Sequence, residues 1–348
     1  MVKTYFLRKA VEGMKVLVTG AAGFLGGHLI EMLVERGYQV RALVLPEESV
    51  AHLQSLPSVE VVRGDLTDGE SLRRAVRGVR RVYHVAAKTG PWGAEEDYRK
   101  VNVLGLAELV GVSVEAGVER FVHTSSITVY GHRLQGVVTE DHPFHAEDNP
   151  YSRSKIAGEQ LLAKLVRERG APVIIVRPGW IYGPRDHASF ARFASLIATG
   201  KGFLIGSGRN IVPLVYVRDV AQGLIRAGEA DEEFVGQAYT IADDRRTSQA
   251  EYFNTLADFL GVPPVTRTLP FWPLYLAGRG AELSWRALGR RSAAPPPLTT
   301  YGITLLGRNQ EFSIDKARSD LGYEPEYDII RGVAEGVRWY QRLECARG

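Results

Sequence analysis

"VTGAAGFLGGHL", residues 18–29, is the stretch on which the reading of this chain turns. It closes the short β-branched run "KVLVTG" (15–20) and opens the helical pattern "FLGGHLIEMLVERG" (24–37), so that Gly20, Gly23 and Gly26 fall in G-x-x-G-x-x-G spacing at a strand-to-helix junction. Glycine allows the tight turn and lets the backbone approach a pyrophosphate, which then lies at the positive end of the helix. Tight turns without a ligand also use glycine. The place of the triplet directly after the first strand points to a dinucleotide.

Outward from this turn, β-branched runs and helical patterns alternate: "QVRALVL" (39–45), "VEVVRGD" (59–65), "RVYHVAA" (81–87), a helix over about 97–116, "RFVHTSS" (120–126), a helix from "NPYSRSKIAGEQLL" (149–162), and "PVIIVRPG" (172–179). Nearly continuous apolar strands are expected where helices cover both faces of a sheet. The fold class is therefore α/β, a Rossmann-type doubly wound parallel sheet with a smaller, irregular C-terminal substrate-binding region. Beyond 179, Gly, Pro and aromatic residues become frequent, and "SAAPPPLTT" (292–300) reads as a linker or extended arm. "LVYVRDVAQGLIRAG" (214–228) reads as one more strand and helix returning to the main sheet. The expected division is an extension at 1–13, a dinucleotide domain at 14–179 to which 212–245 returns, and a substrate region made of 180–211 and 246–348.

Composition excludes several classes. The 348 residues carry a net charge of only +3 with no long run of one sign, so nothing calls for nucleic acid. Cys345 is the single cysteine, which excludes an intramolecular disulfide and a cysteine metal cluster; no metal is expected, and a reducing cytoplasmic location fits. "MVKTYFLRKAVEG" (1–13) lacks the apolar core of a signal peptide. The apolar stretch 269–289 is interrupted by Pro273, Arg279 and Glu282 and reads as too broken to span a bilayer.

The cofactor type stays open between NAD and NADP. The acidic residue that holds an adenosine ribose falls near the end of the second strand, where this chain has Val44 and Leu45, and no arginine stands there, although Arg41 is nearby. Asp65 ends the third strand and is read as a contact to the adenine amino group or as a turn residue.

Tyr151 and Lys155 lie four positions apart at the start of a helix and project from one face. A free tyrosine titrates near ~10, so a tyrosine exchanging protons at neutral pH needs a positive charge beside its phenolate. Lys155 supplies one.

Taken together, "VTGAAGFLG", "GDLTD", "HVAA", "VNVLG", "HTSSITVYG", "YSRSK", "RPGWIYGP" and "YVRDVA" occur in the order found in the extended short-chain dehydrogenase/reductases, and the chain resembles that family over about residues 14–330. The resemblance implies Tyr151 as acid/base, Lys155 as its partner, and Ser126 as the hydroxyl that holds the substrate oxygen, with Ser125 the neighbouring alternative. It implies cofactor contacts from Gly20, Gly23, Phe24, Leu25 and Gly26, from Asp65 and Leu66, from Ala86, Ala87 and Lys88, and from Ser125, Tyr151, Lys155, Pro178 and Ile181. Asn102 joins this set where the family has a structural asparagine. A homodimer is expected.

Departures from the family bear on the substrate. Trp180 stands where sugar-nucleotide enzymes usually have asparagine, and Val212 where they have a diphosphate-binding arginine, although Arg185 and Arg209 remain as alternative phosphate ligands. Both exchanges favour an apolar small-molecule substrate. The C-terminal stretches look like the branch of 3β-hydroxysteroid and sterol dehydrogenases and related bacterial reductases. Trp272, Tyr275, Leu276 and Trp285 are read as a cap on a lipophilic ligand, a peripheral membrane contact, or ordinary packing on the domain or a dimer partner. The leading expectation is an NAD(P)-dependent oxidoreductase interconverting a secondary alcohol and a ketone. Alternatives are a nucleotide-sugar epimerase/dehydratase, a 3-oxo-acid or dihydroflavonol-type ketone reductase, and a dinucleotide-sensing regulator, which would not need the Ser, Tyr and Lys set.

Overall fold

The computed structural model describes residues 12–289 and 294–346. Most of the extension at 1–13 and the first part of the 292–300 stretch therefore lie outside the described residues. Seven parallel strands form the main sheet: β1 Lys15–Thr19, β2 Gln39–Val44, β3 Val59–Arg63, β4 Arg81–His84, β5 Arg120–Thr124, β6 Val173–Pro178 and β7 Ala238–Ile241. Their order across the sheet is β7-β6-β5-β4-β1-β2-β3, which reverses direction at β1/β4 and opens a crevice at the carboxyl ends there.

Side chains alternate between two cores. On β1, Val16 and Val18 join one apolar cluster and Leu17 the other; on β6, Ile174 and Val176 face one way, Val173 and Ile175 the other. Helix Phe24–Glu35 packs beside helix Val217–Glu229 on the first face, while Gly69–Val76, Leu106–Glu115 and the helix Pro150–Arg169 contribute to the second. Asn149 N-caps that last helix through its side chain, which accepts from the Ser152 N–H at 2.8 Å, and Pro150 occupies the first turn. Gly170, at φ 60°, ends it.

One expectation needs correction. The strand expected to return to the main sheet, Leu214–Tyr216, instead pairs with Trp180–Tyr182 in a separate two-stranded ribbon. Both edges of β6 are taken by β5 and β7, so it has no ladder beside β6. The ribbon begins where Gly179 passes over Pro213, so closely that a Cβ on Gly179 would sit 2.4 Å from the Pro213 carbonyl oxygen. Within 269–289, Phe271–Ala287 is one helix, with Pro273 in its first turn, where no intrahelical N–H is needed. In the extended stretch, Thr299 N-caps the helix Thr300–Gly307. Among the described residues no helix is long and apolar enough to cross a membrane, and no cluster of metal-ligating side chains occurs.

A buried carboxylate on the helix Val217–Glu229 ties the C-terminal region to that helix. Asp219, 2% exposed, accepts from the backbone N–H groups of Glu326 at 2.9 Å and Tyr327 at 3.2 Å. Asp219→Ala orphans both donors and is expected to cost about 1–3 kcal/mol in urea unfolding. A loss below a few tenths would mean that the strap is held elsewhere.

Candidate active site

One cleft of about 1070 Å³ runs across the carboxyl ends of the strands. At its centre is the glycine turn. Gly20 has φ +65°, and a Cβ there would fall 2.8 Å from the Ala86 backbone; on Gly26 it would fall 2.1 Å from the Gly20 carbonyl oxygen. The first turn of helix Phe24–Glu35 carries no acidic residue, so its positive end faces the cleft unopposed. Thr19, which sequence reading passed over, locks the turn to β4: its hydroxyl contacts His84 Nδ1 at 2.8 Å and accepts from the Ala86 N–H at 3.1 Å. A cradle that side chains would fill, beside a bare helix terminus, fits a pyrophosphate.

The adenosine end of the crevice lies beyond β2. Leu43, Val44 and Leu45 line it, with Glu48 and Ser49 from the loop that follows and His52 from the short helix Ala51–Gln54. Arg41 is no phosphate ligand: it is buried, donates to Glu60 Oε2 at 3.1 Å and gives Nη1 to the carbonyls of Ala75 and Arg77. Arg63 is likewise turned onto the carbonyls of Leu45 and Pro46. Asp65 lines the cleft and also serves its turn, accepting from the Thr67 N–H at 2.8 Å.

Phe24, Leu25, Leu66, Ala86, Ala87, Lys88, Pro178, Trp180 and Ile181 all line the same cleft. Two expected residues do not. Asn102 sits behind it in a π-helical turn, Lys100–Gly105, where it accepts from the Lys88 N–H at 2.8 Å and donates to the Lys88 carbonyl and Ser154 Oγ at 2.9 Å. It clamps the Lys88 loop to the helix carrying Tyr151. Val212, 2% exposed, belongs to the apolar core. The apolar wall of the cleft is made by Trp180, Ile181 and Leu305 instead.

At the inner end Ser126, Tyr151 and Lys155 converge. Of the two serines, Ser125 is committed: its hydroxyl bonds Glu159 Oε1 at 2.5 Å, and Glu159 also takes Arg177 at 2.6 Å. Ser126 is left at the cleft, close enough to Tyr151 to favour its phenolate against the burial that raises the phenol above its usual value. Lys155 Nζ donates to the Thr124 carbonyl at 2.7 Å and lies 5.8 Å from the Tyr151 ring centre. Burial holds its pKa down to about 8.

Sequence reading missed Thr128, His132 and Tyr301 here. Tyr301, raised to about 12 by burial, reaches the cleft from the C-terminal helix Thr300–Gly307, and its ring lies 5.1 Å from that of His132. Nothing local in the sequence joins residues so far apart. None of Trp272, Tyr275, Leu276 and Trp285 lines this cleft; Trp272 and Leu276 are 62% and 66% exposed. Of the alternative phosphate ligands, Arg185 is held by both carboxylate oxygens of Glu31, and Arg209 lines a neighbouring groove that meets the cleft at His132.

Residues 16–242 match the NAD dependent epimerase/dehydratase family. The chain belongs to that family. It is 32% identical to a 2-alkyl-3-oxoalkanoate reductase of Stenotrophomonas maltophilia (strain K279a) over 92% of this chain and 97% of the relative. It is also 32% identical to a 3-beta-hydroxysteroid dehydrogenase of Mycolicibacterium neoaurum, over 94% and 92%. The fold matches the UDP-glucuronic acid 4-epimerase of Bacillus cereus, a structure in complex with NAD, with TM-score 0.75 and 24% identity over 95% and 99% of the two chains. As a member of the family the chain is an NAD(P)-dependent oxidoreductase acting on hydroxyl and keto groups.

Gly26→Ala tests the cradle. It forces the Gly20 carbonyl away, so dinucleotide binding disappears from calorimetry and the melting temperature falls; unchanged affinity would place the pyrophosphate elsewhere.

Proposed function

We propose that this enzyme reduces a ketone, or oxidises the matching secondary alcohol, on a bulky and mainly apolar molecule. The observation that carries the reading is the meeting of Ser126, Tyr151 and Lys155 beside the glycine turn, in a cleft walled by Trp180, Ile181 and Leu305. Trp180 shows the substrate its ring rather than its polar atom, because Nε1 already donates to Ser189 Oγ at 3.2 Å. A diphosphate against that wall would lose hydration without gaining charge-assisted bonds.

A bound nicotinamide would supply the hydride in reduction and take it up in oxidation. Ser126 holds the substrate oxygen, and Tyr151 gives it a proton during reduction or accepts one during oxidation. Burial alone makes the Tyr151 phenolate costly, so the Lys155 ammonium, anchored on the Thr124 carbonyl, offsets the charge. Asn102 and Glu159 act through these groups by position.

The relatives' names agree with a ketone on a lipophilic carbon skeleton, steroid or long-chain oxo acid. A homodimer and the membrane contact of residues 269–289 stay part of the proposal; the exposed side chains of Trp272, Leu276, Leu283 and Leu288 support them. NAD(H) is preferred over NADP(H), because Glu48 puts a carboxylate at the adenosine end while Arg41 and Arg63 are spent on protein carbonyls.

Turnover tests the reading. Purified enzyme should reduce steroid-like and long-chain ketones and ignore UDP- and dTDP-sugars. Tyr151→Phe should lower kcat by at least about a hundredfold with cofactor affinity kept within a few-fold. In the wild type kcat/KM for the ketone should fall as pH rises through about 8, where Lys155 loses its proton. Saturable turnover of a nucleotide sugar with no activity on apolar ketones would overturn the assignment. For the cofactor, calorimetry should give NADP⁺ at least about tenfold weaker binding than NAD⁺, and Glu48→Gln should narrow the gap; equal affinities in the wild type would refute the preference.

A further inference from the structure

His132 is among the most enclosed polar residues of the cleft, 2% exposed, and its hydrogen-bonding state can be read from its neighbours. Gly131, at φ +72°, turns the chain so that the His132 N–H donates to Glu147 Oε1 at 2.9 Å and the ring is presented to the cleft and the groove beside it. The ring nitrogen Nδ1 lies 3.1 Å from Gln310 Oε1. Gln310, itself 1% exposed, has its amide orientation set by a second bond, because its Nε2 lies 3.1 Å from the Leu305 carbonyl, which can only accept. With the amide nitrogen on Leu305, the amide oxygen faces His132. Nδ1 must therefore carry the proton.

Burial lowers the pKa of the ring and favours its neutral form. In a neutral ring with the proton on Nδ1, Nε2 is a lone-pair acceptor. Among the described residues Nε2 has no hydrogen-bond partner. The His132 ring lies 5.1 Å from that of Tyr301, and both residues line the cleft together with Thr128 and Leu305. A buried acceptor without a donor is costly, and a ligand that brings the donor recovers that cost.

We propose that His132 Nε2 is a second recognition point, which accepts a hydrogen bond from a hydroxyl of the substrate other than its reacting oxygen. The proposal rests on the ketone-reductase reading above and narrows it: the substrate is a hydroxyketone, or the corresponding diol, on an apolar skeleton. An ether oxygen or a carbonyl at that position brings no proton to Nε2. A carboxylate would face a lone pair unless the ring took up a proton first.

The test uses the holoenzyme and acyclic ten-carbon ketones bearing a hydroxyl on the first, second or third carbon from the carbonyl, each beside its methyl ether and its unsubstituted parent. For one position of the hydroxyl, wild-type kcat/KM should exceed that of the methyl ether by about tenfold or more. In His132→Phe that ratio should fall to near one, whereas His132→Gln, which can still present an acceptor, should retain part of it. No preference for the hydroxyl at any position, or a preference that survives in His132→Phe, overturns the proposal while leaving ketone reduction intact. Nitrogen-15 spectra of histidine-labelled protein give a readout independent of turnover: His132 should show a protonated Nδ1 and a bare Nε2, with the Nε2 resonance shifting when a hydroxyketone is added and not with its methyl ether. A bare Nδ1, or an Nε2 that does not respond to any of the hydroxyketones, also overturns it. Absence of turnover on every ketone with the Nε2 shift present would strike the ketone-reductase reading instead.

Discussion

The carboxylate of Glu159 is the point on which the inner end of the cleft depends. It is 2% exposed, one helical turn beyond Lys155, and it is met by the guanidinium of Arg177 on β6 and the hydroxyl of Ser125 at the end of β5. Arg177 in turn takes the Tyr130 hydroxyl at 2.6 Å and the Glu140 carbonyl. A buried ion pair stabilises only when its remaining donors and acceptors are satisfied, and here they are. The result is a cross-link between two strands, the helix Pro150–Arg169 and the loop that carries Ser126. Ser125 is consumed by this network, whereas Ser126, whose hydroxyl accepts from the Thr128 N–H at 3.2 Å, lines the cleft beside Tyr151.

From that anchor the cleft changes character along its length. The glycine turn offers backbone N–H groups and a helix dipole without acidic competition, which suits a pyrophosphate. Near Tyr151 the surroundings become dry: Tyr151 is pushed up by burial, Lys155 down to about 8, and the buried His84 down to about 3. In such a place each unpartnered polar atom is expensive, and Thr128 Oγ1 and His132 Nε2 are two of them.

The parts of the molecule that could be read from the chain are those built from neighbours. The glycine triplet, the Tyr151 and Lys155 spacing, and the strand ends at Asp65 and Ala86 are all local patterns, and the structure places each beside the cleft. Where the reading went astray, the deciding contact was distant. Leu214–Tyr216 looked like a sheet strand, but β7, more than twenty residues later, had already occupied the β6 edge. Val212 marked a departure from the family, but packing put it in the core. Asn102 carried the right motif and works one layer behind the cofactor.

By itself the sequence determined the sheet, the glycine turn and the placing of Tyr151 and Lys155 on one helix face, because hydrophobic period, glycine geometry and a one-turn spacing act over a few residues. Tertiary structure alone decided which serine is free, what lines the substrate end, and which nitrogen of His132 holds the proton. Those outcomes need residues separated by up to 178 positions, His132 and Gln310 being the widest pair. Only the packed fold brings such groups within hydrogen-bond distance and removes the water that would otherwise satisfy them.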